Sequence, residues 1–221
     1  MITFNSLEEI RGVSPCAVAL GNFDGVHKGH QELIARTVDK AKAEGLKSAV
    51  FTFSNHPKSF IPGGKEVKNI VYGEEKFSLI EKLGVDYMFS IEFNEEVQNT
   101  EPADFVEKFL VGKLKAAEVF CGFNYRFGRK AAGNVDLLRE CGKRLGFSVN
   151  VIDPVVVDGE VVSSTLIRSL IKSGEVDECF KYLGRNYDIG GDVVVGNRLG
   201  KSLGFPTSNI MIDENMVTPP N

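Results

Sequence analysis

The sequence has no tryptophan, only 3 histidines and 4 cysteines, and no long apolar run. No stretch reaches the roughly 18 apolar residues that a membrane span needs, and the N-terminus lacks the pattern of a signal peptide. The cysteines form no CxxC pair, which argues against a zinc knuckle or a redox dithiol; they are Cys16, Cys121, Cys141 and Cys179. We therefore expect a cytoplasmic protein without membrane contact, whose cysteines are small buried side chains.

An excess of positive charge is also missing. The 221 residues include 26 Lys and Arg against 30 Asp and Glu, a formal net charge of -4. This balance provides no basic surface field for a nucleic-acid backbone, so a polyanionic small substrate would have to be bound by local groups. The hydrophobic share of 43% is sufficient for one full α/β domain and a smaller remainder.

Short apolar runs alternate with segments of helical period. The runs that predict buried strands are Cys16–Phe23, Ser48–Phe53, Tyr87–Phe93, Ala117–Gly122 and Phe147–Ile152. The predicted helices are His30–Glu44, Glu74–Leu83, Ala103–Leu114 and Val135–Leu145, three of them followed by glycine. This alternation predicts an α/β fold with a parallel sheet covered on both faces, and ligands beyond the carboxyl ends of the strands.

The alternating pattern of apolar runs and helical segments changes towards the end of the sequence. Asp158-Gly159 between two β-branched runs predicts a hairpin, and two short helices are predicted between Ser163 and Gly184. From Tyr187 onward the chain is dense in glycine and proline and has no helical period. We place a domain boundary near Gly184, which divides the chain into residues 1–184 and 185–221.

The segment GNFDGVHKGH, Gly21–His30, places two of the three histidines at a strand-to-helix junction rich in glycine. Its glycines would let backbone N–H groups approach an anion, and the helix N-terminus adds a partial positive charge. His27 and His30 could both donate to a phosphate. The competing interpretation is a plain turn, with Asp24 as a local cap and the histidines on the surface.

Other chemistries fit this segment less well. It contains neither the GxGxxG pattern of a dinucleotide site nor the GxxxxGK[ST] pattern of a P-loop. A zinc site on the two histidines is conceivable, but no third ligand is obvious in the sequence.

A second cluster, Ser163, Ser164, Thr165 and Arg168, lies at a predicted helix start. Hydroxyls and unpaired N–H groups bind anions there, and Arg168 lies one turn further along the same side. Alone, the cluster would be better explained as an N-cap followed by a solvated arginine. Taken with the histidine segment, it favours binding of a triphosphate.

At this point the sequence resembles a known family. GNFDGVHKGH is similar to the signature of the bacterial FAD synthetases, the adenylyltransferase part of bifunctional riboflavin kinase/FMN adenylyltransferases, and HKGH matches the HxGH tetrad of the nucleotidylyltransferase superfamily. VSSTLIR resembles the second signature, ISSTxIR, with Val162 in place of the first isoleucine. The resemblance continues through FTFSNHP, GFNYRFG and LGFPTSNI, in order over nearly the whole chain.

The resemblance implies a Rossmann-like domain in which an FMN phosphate oxygen attacks the α-phosphorus of ATP, giving FAD and pyrophosphate. Mg²⁺ would enter as Mg-ATP, held mainly by phosphate oxygens, with no protein metal ligand in this domain. The implied catalytic residues, which would stabilise the departing pyrophosphate, are His27, His30, Ser164 and Arg168. The implied ATP-binding residues are Gly21, Asn22, Phe23, Asp24, Gly29, Ser163 and Thr165. The role of Asp24 stays open between shaping the turn and contacting the ligand.

Two aromatic loops that follow predicted strands suit a flat isoalloxazine ring. The candidate flavin-binding residues are Phe53, Asn55, His56, Pro57 and Phe60 in the first loop, and Phe123, Asn124, Tyr125, Arg126 and Phe127 in the second. Arg126 and Arg129 would provide positive charge for the FMN phosphate. The alternative is that about half of these aromatic residues pack in the core. The family often carries an acidic residue at the position of Asn124, where this sequence has an uncharged amide.

The final stretch resembles the beginning of a riboflavin kinase module, with PTxN at Pro206–Asn209. In that family Thr207 and Asn209 would serve Mg-ATP, and the glutamate base follows well downstream. We therefore expect no riboflavin kinase activity from the 221 residues, since the barrel would be incomplete. Two other functions stay open: transfer to a different phosphorylated acceptor, and a non-catalytic flavin or nucleotide binding module.

Overall fold

The computed structural model describes residues 1–57, 67–194 and 208–220. Its centre is a six-stranded sheet in which all paired neighbours run parallel, in the order β1-β4-β3-β2-β5-β6. The strands are β1 (Ile2–Phe4), β2 (Cys16–Leu20), β3 (Lys47–Phe53), β4 (Tyr87–Ile91), β5 (Ala116–Gly122) and β6 (Ser148–Ile152). The predicted α/β fold with a parallel sheet is confirmed.

Helices cover both faces of the sheet, as the alternation predicts. They are α1 (Lys28–Glu44), α2 (Gly73–Glu81), α3 (Glu95–Asn99), α4 (Pro102–Asp104) and α5 (Val135–Leu145). Gly45 and Gly146 end α1 and α5 in the left-handed conformation, at φ 67° and 83°. These glycines terminate the helices at the positions that the sequence indicates, because only a residue without Cβ adopts this geometry at little cost.

The core has two layers, one on each side of the sheet. Leu33, Ile34 and Val38 of α1 pack against one face. Phe105, Leu110 and Leu138 pack against the other, together with the inward side chains of β2. All four cysteines are free and buried, as expected for small apolar side chains.

Two predicted elements need correction, and one observed strand was missed. The strand predicted over Cys16–Phe23 ends at Leu20, because the chain turns into a left-handed conformation at Phe23, with φ 49°. The helix predicted over Ala103–Leu114 is a short α4 followed by a π-helix, Phe105–Lys113. The spacing of apolar residues over so short a segment does not distinguish a π-helix from an α-helix. Strand β1 was not predicted, since it is only three residues long and partly exposed at the sheet edge.

The elements after β6 agree with the predicted hairpin and the two predicted short helices. Strands β7 (Val156–Val157) and β8 (Glu160–Val161) form the expected hairpin, with positive φ at both turn residues. Helices α6 (Ser164–Ser173) and α7 (Cys179–Leu183) are the two predicted short helices. A two-stranded sheet follows, made by β9 (Gly191–Val194) and β10 (Asn209–Ile212).

After β10 the chain packs against the loop at residues 69–71 and against helices α6 and α7. Val217 is fully buried beside Ile70 and the helices α6 and α7. Its N–H donates to the Asn69 carbonyl at 2.9 Å, and the Asn69 N–H donates to the Asn215 carbonyl at 2.6 Å. The segment 213–217 therefore supports the loop at 69–71. No helix in the described part of the chain is both long and apolar enough to cross a membrane.

Candidate active site

The loop between β2 and α1 lies at the carboxyl edge of the sheet, between β3 and β5. Phe23, Gly25 and Val26 have φ values of 49°, 85° and 39°, so the loop is a compact left-handed turn. Positive φ is unusual for a β-branched residue such as Val26 and is found where the surroundings hold a strained backbone in place. The side chain of Gln31 contributes to this support by donating to the Val26 carbonyl at 2.8 Å and to the Leu183 carbonyl at 2.8 Å.

The two histidines lie face to face at the start of α1. Their ring centroids are 3.6 Å apart and the rings are nearly parallel, at 15°. His27 is the N-cap, and its Nδ1 accepts the backbone N–H of His30 at 3.3 Å. A Cβ on Gly29 would lie 3.2 Å from the His27 ring, so glycine at this position lets the imidazole lie against the backbone.

Both imidazoles are neutral near pH 7. Burial lowers the pKa of His27 to about 4. Burial holds the pKa of His30 well below 6.5, because protonated His30 would be poorly solvated and would also be repelled by a protonated His27 and by the charge of Lys76. Since Nδ1 of neutral His27 accepts a hydrogen bond, its proton lies on Nε2, which is then a donor. The buried Nδ1 of His30 has no hydrogen-bond partner among the described residues.

Asp24 is the centre of the loop. It is 4% exposed, and its Oδ1 accepts the backbone N–H groups of Ile70 and Val71 at 2.8 and 3.2 Å. Its Oδ2 forms a buried ion pair with Arg168. In the structure the Asp24 carboxylate therefore joins the glycine-rich loop to residues 70–71 and to α6.

The second motif is attached to the first. Ser163 is the N-cap of α6 and accepts the N–H of Leu166 at 3.2 Å, while the Ser164 hydroxyl donates to the Asp24 carbonyl at 2.8 Å. Arg168 donates through Nε to the Lys68 carbonyl at 2.8 Å, besides its pair with Asp24. The predicted ATP-binding Thr165 lies exposed in the first turn of α6. The two helix N-termini are therefore adjacent.

The first aromatic loop lines a cavity of about 160 Å³. Predicted residues on its wall are Asn22, Asp24, Phe53, Asn55, His56 and Pro57. The Asn55 amide donates to the Phe93 carbonyl at 3.0 Å and accepts the Phe93 N–H at 2.7 Å, so both of its ends join two loops of the protein. Its predicted contact with the flavin edge stays a prediction.

The second aromatic loop follows β5, on the other side of β2, and its residues do not line this cavity. Phe127 is buried against Phe105, with ring centroids 5.4 Å apart. Tyr125 stacks on Phe127, and burial raises the pKa of its hydroxyl. Phe123 is 52% exposed. The alternative that several aromatics pack in the core thus describes Tyr125 and Phe127.

The polar members of the second loop lie at the surface. Asn124, Arg126 and Arg129 are exposed, and Arg129 forms an ion pair with Glu101 at 2.8 Å. Asn209 is exposed on β10. Phe60 and Thr207 lie outside the described residues.

Lys76 and Arg185 belong to the site, although the sequence analysis did not select them. Lys76 of α2 is 8% exposed, and its Nζ donates to Thr52 Oγ1 at 2.9 Å and to the Phe53 carbonyl at 3.1 Å. Arg185 donates to the Gly25 carbonyl at 3.0 Å. No local pattern marks either residue, because each reaches the site from a distant part of the chain.

The described ranges contain no group of three or more His, Cys, Asp or Glu side chains arranged to hold a metal ion. The donors gathered at the edge of the sheet are imidazole, hydroxyl, guanidinium and backbone N–H groups. Such donors bind phosphate oxygens.

Comparison with known proteins agrees with the resemblance seen in the sequence motifs. The family profile described as FAD synthetase matches residues 10–166, and the profile described as riboflavin kinase matches residues 183–221. The "Bifunctional riboflavin kinase/FMN adenylyltransferase" of Listeria monocytogenes is 37% identical over 91% of this chain and 64% of its own length. The protein of the same name from Bacillus subtilis is 31% identical, over 92% of this chain and 64% of its own length. The chain thus spans less than two thirds of these relatives.

Two solved structures share the fold. One, titled "Macrolide-efflux Protein" from Streptococcus pneumoniae, has a TM-score of 0.85 and 28% identity, and covers 99% of this chain and 71% of that chain. The other, pantoate-beta-alanine ligase from Francisella tularensis, has a TM-score of 0.53 at 16% identity, over 82% of this chain and 78% of that chain. The second likeness concerns the fold alone.

Proposed function

The chain belongs to the FAD synthetase family, and from this premise we propose that residues 1–184 are an FMN adenylyltransferase domain. It transfers AMP from Mg-ATP to FMN and releases FAD and pyrophosphate. Residues 185–221 are the beginning of a riboflavin kinase module, in line with the match over 183–221. The observation that carries the proposal is the joining of the two phosphate motifs, which lie some 140 residues apart in sequence, through Asp24.

In the proposed reaction no protein nucleophile is required. An oxygen of the FMN phosphate forms a bond to the α-phosphorus of ATP, and the bond from that phosphorus to the oxygen bridging to the β-phosphorus breaks. The electron pair leaves with pyrophosphate. The chain's residues would therefore act by positioning the two phosphates and by stabilising charge, the main sources of rate in phosphoryl-type transfers.

The neutral histidines suit the leaving side of this reaction. Each can present an N–H donor to a phosphate oxygen without a change of protonation state near pH 7. Both lie at the N-terminus of α1, where the helix dipole also favours negative charge. One such donor, aimed at charge that develops in the transition state, is worth about 2.7 to 4 kcal/mol.

Arg168 can serve both the loop and the triphosphate. Its guanidinium has five N–H bonds, of which one binds the Lys68 carbonyl and another pairs with Asp24. The others are available to phosphate oxygens. Ser164 has its only hydroxyl proton directed to the Asp24 carbonyl, so we assign it mainly the placement of the loop.

The decisive experiment is incubation of the protein with FMN, ATP and Mg²⁺, followed by chromatography of the flavins. We expect FAD and an equal amount of pyrophosphate. The ATP analogue with a methylene group between the α- and β-phosphorus is the control, since its bond cannot be cleaved and no FAD should form. Tight FMN binding without FAD formation would instead support a non-catalytic binding module. Transfer of AMP to another phosphorylated acceptor but not to FMN would show a different transferase.

A further inference from the structure

Lys76 is a buried cation for which the phosphate motifs give no role. Its Nζ is held at the carboxyl end of β3 by Thr52 Oγ1 and the Phe53 carbonyl, at 2.9 and 3.1 Å. Both acceptors are uncharged. A hydroxyl and a carbonyl place the ammonium group accurately but do not neutralise it.

No carboxylate neutralises Lys76 either. Among the residues that the structure describes, none forms an ion pair with its Nζ within 4.0 Å. Asp24 is the acidic residue whose charge acts on Lys76. Its carboxylate is already used, because Oδ1 accepts two backbone N–H groups and Oδ2 pairs with Arg168. Burial lowers the pKa of Lys76 to about 8, although the charge of Asp24 opposes this. A buried, unpaired ammonium is costly and is typical of a site that receives an anion.

The position of Lys76 indicates which anion. It lines the cavity of about 160 Å³ together with Asn22, Phe53 and His56. Its charge also contributes to the lowered pKa of His30, so the cavity wall and the histidine pair are within electrostatic reach of each other. Pockets for whole ligands measure roughly 300 to 1,000 Å³. The smaller cavity suits one polar part of a ligand, such as a phosphate, better than a three-ring flavin.

The arginines predicted for the FMN phosphate are less suited to it. Arg126 and Arg129 are exposed on the other side of β2, where water screens their charge, and Arg129 is paired with Glu101. Lys76 is instead buried, lines the cavity and acts electrostatically on His30.

We propose that Lys76 binds the phosphate of FMN and so makes the site select FMN over riboflavin. This rests on the proposed function for the identity of the flavin. The phosphate would supply the negative charge that the described surroundings of Nζ lack. Lys76 is then a residue of substrate specificity, in addition to its structural bonds to β3.

The test measures flavin binding without ATP, by fluorescence titration with FMN and with riboflavin. The wild-type protein should bind FMN more tightly than riboflavin. Lys76→Gln keeps a donor for Thr52 but has no charge, and it should weaken FMN binding by about 10-fold to 100-fold, as for the loss of a charge-assisted hydrogen bond. Its affinity for riboflavin should not change. Lys76→Arg should retain most of the preference, because the charge is kept.

Lys82→Gln is the matched control, since Lys82 is exposed at the end of the same helix, and it should bind both flavins as the wild type does. An equal loss of FMN and riboflavin affinity in Lys76→Gln would show a purely structural role and overturn the proposal. An unchanged FMN preference would overturn it too. If Lys76→Gln does not fold, loss of the preference by a folded Lys76→Arg protein would count against the proposal. FAD formation is not measured here, so its failure in the chromatographic assay would leave this result standing.

Discussion

The two sides of the candidate site are built differently. On the phosphate side, buried and half-buried side chains join three distant segments: Asp24 accepts backbone N–H groups of residues 70–71, Arg168 pairs with the Asp24 carboxylate, and Ser164 donates to the Asp24 carbonyl. On the flavin side, the predicted aromatic side chains do not line one common surface. Phe127 lies in the core, Phe123 is half exposed, and Phe53 packs against Phe51 and Phe93.

The difference reflects what each residue type can do elsewhere. A buried carboxylate or guanidinium must find a partner, so its position in a motif restricts where it can lie. A phenylalanine is equally stable in the core and against a ligand, so an aromatic-rich loop does not show which rings face a flavin. Three sets of variants test this difference between the two sides.

The largest effect is expected from removing the carboxylate at the centre of the phosphate side. Asp24→Ala leaves Arg168 without its partner at a site where the two side chains are 6% and 15% exposed. The free energy of unfolding, measured in urea, should fall by about 3 to 5 kcal/mol, because a charge buried without its counter-charge is costly.

A surface ion pair provides the control. Asp136→Ala removes the partner of Arg139 where the carboxylate side chain is 86% exposed, and stability should change by no more than about 0.5 kcal/mol. The double variant Asp24→Ala, Arg168→Met should recover part of the loss. Equal effects of the two aspartate substitutions would mean that the phosphate side is not held together by its buried pair.

The flavin side should divide into a structural and a binding part. Phe127→Ala should lower the free energy of unfolding by about 3 to 5 kcal/mol, because it opens a cavity beside Phe105. Phe123→Ala should change stability by no more than about 0.5 kcal/mol, because the ring is 52% exposed, and should weaken FMN binding by roughly 10-fold if the ring stacks on flavin. Calorimetric unfolding and FMN titration of both variants make the comparison. Unaltered FMN affinity in Phe123→Ala would remove this ring from the binding site.

The effect of His30 on turnover should be larger than its effect on FMN binding. His30→Ala should lower turnover by about 100-fold, the loss expected for one transition-state donor, while FMN binding is largely kept. His30→Asn, which restores an N–H donor, should recover part of the rate. Steady-state kinetics with FMN and ATP give the split between kcat and KM, and unchanged turnover in His30→Ala would exclude His30 from the mechanism.

Much of the fold could be predicted because its signals are local. The alternation of apolar runs and helical periods gave the parallel sheet, and Val135–Leu145 is a helix with the predicted bounds. Gly45 and Gly146 ended helices where expected, and Asp158-Gly159 made the hairpin turn. Such features depend on residues within four or five positions of one another. The π-helix and the edge strand β1 differ from the predictions because their local patterns are too short to be decisive.

In the site, too, the features with local signals could be predicted and those without could not. The sequence alone determined that two histidines stand at a helix N-terminus behind a glycine-rich turn, since spacing and capping preferences require no distant partner. Only the folded structure brings Asp24 to Arg168, 144 residues away, buries Lys76 in the wall of a cavity that Asp24 also lines, and places certain phenylalanines in the core. Burial and pairing depend on which segments the fold brings together, and no local pattern contains that information.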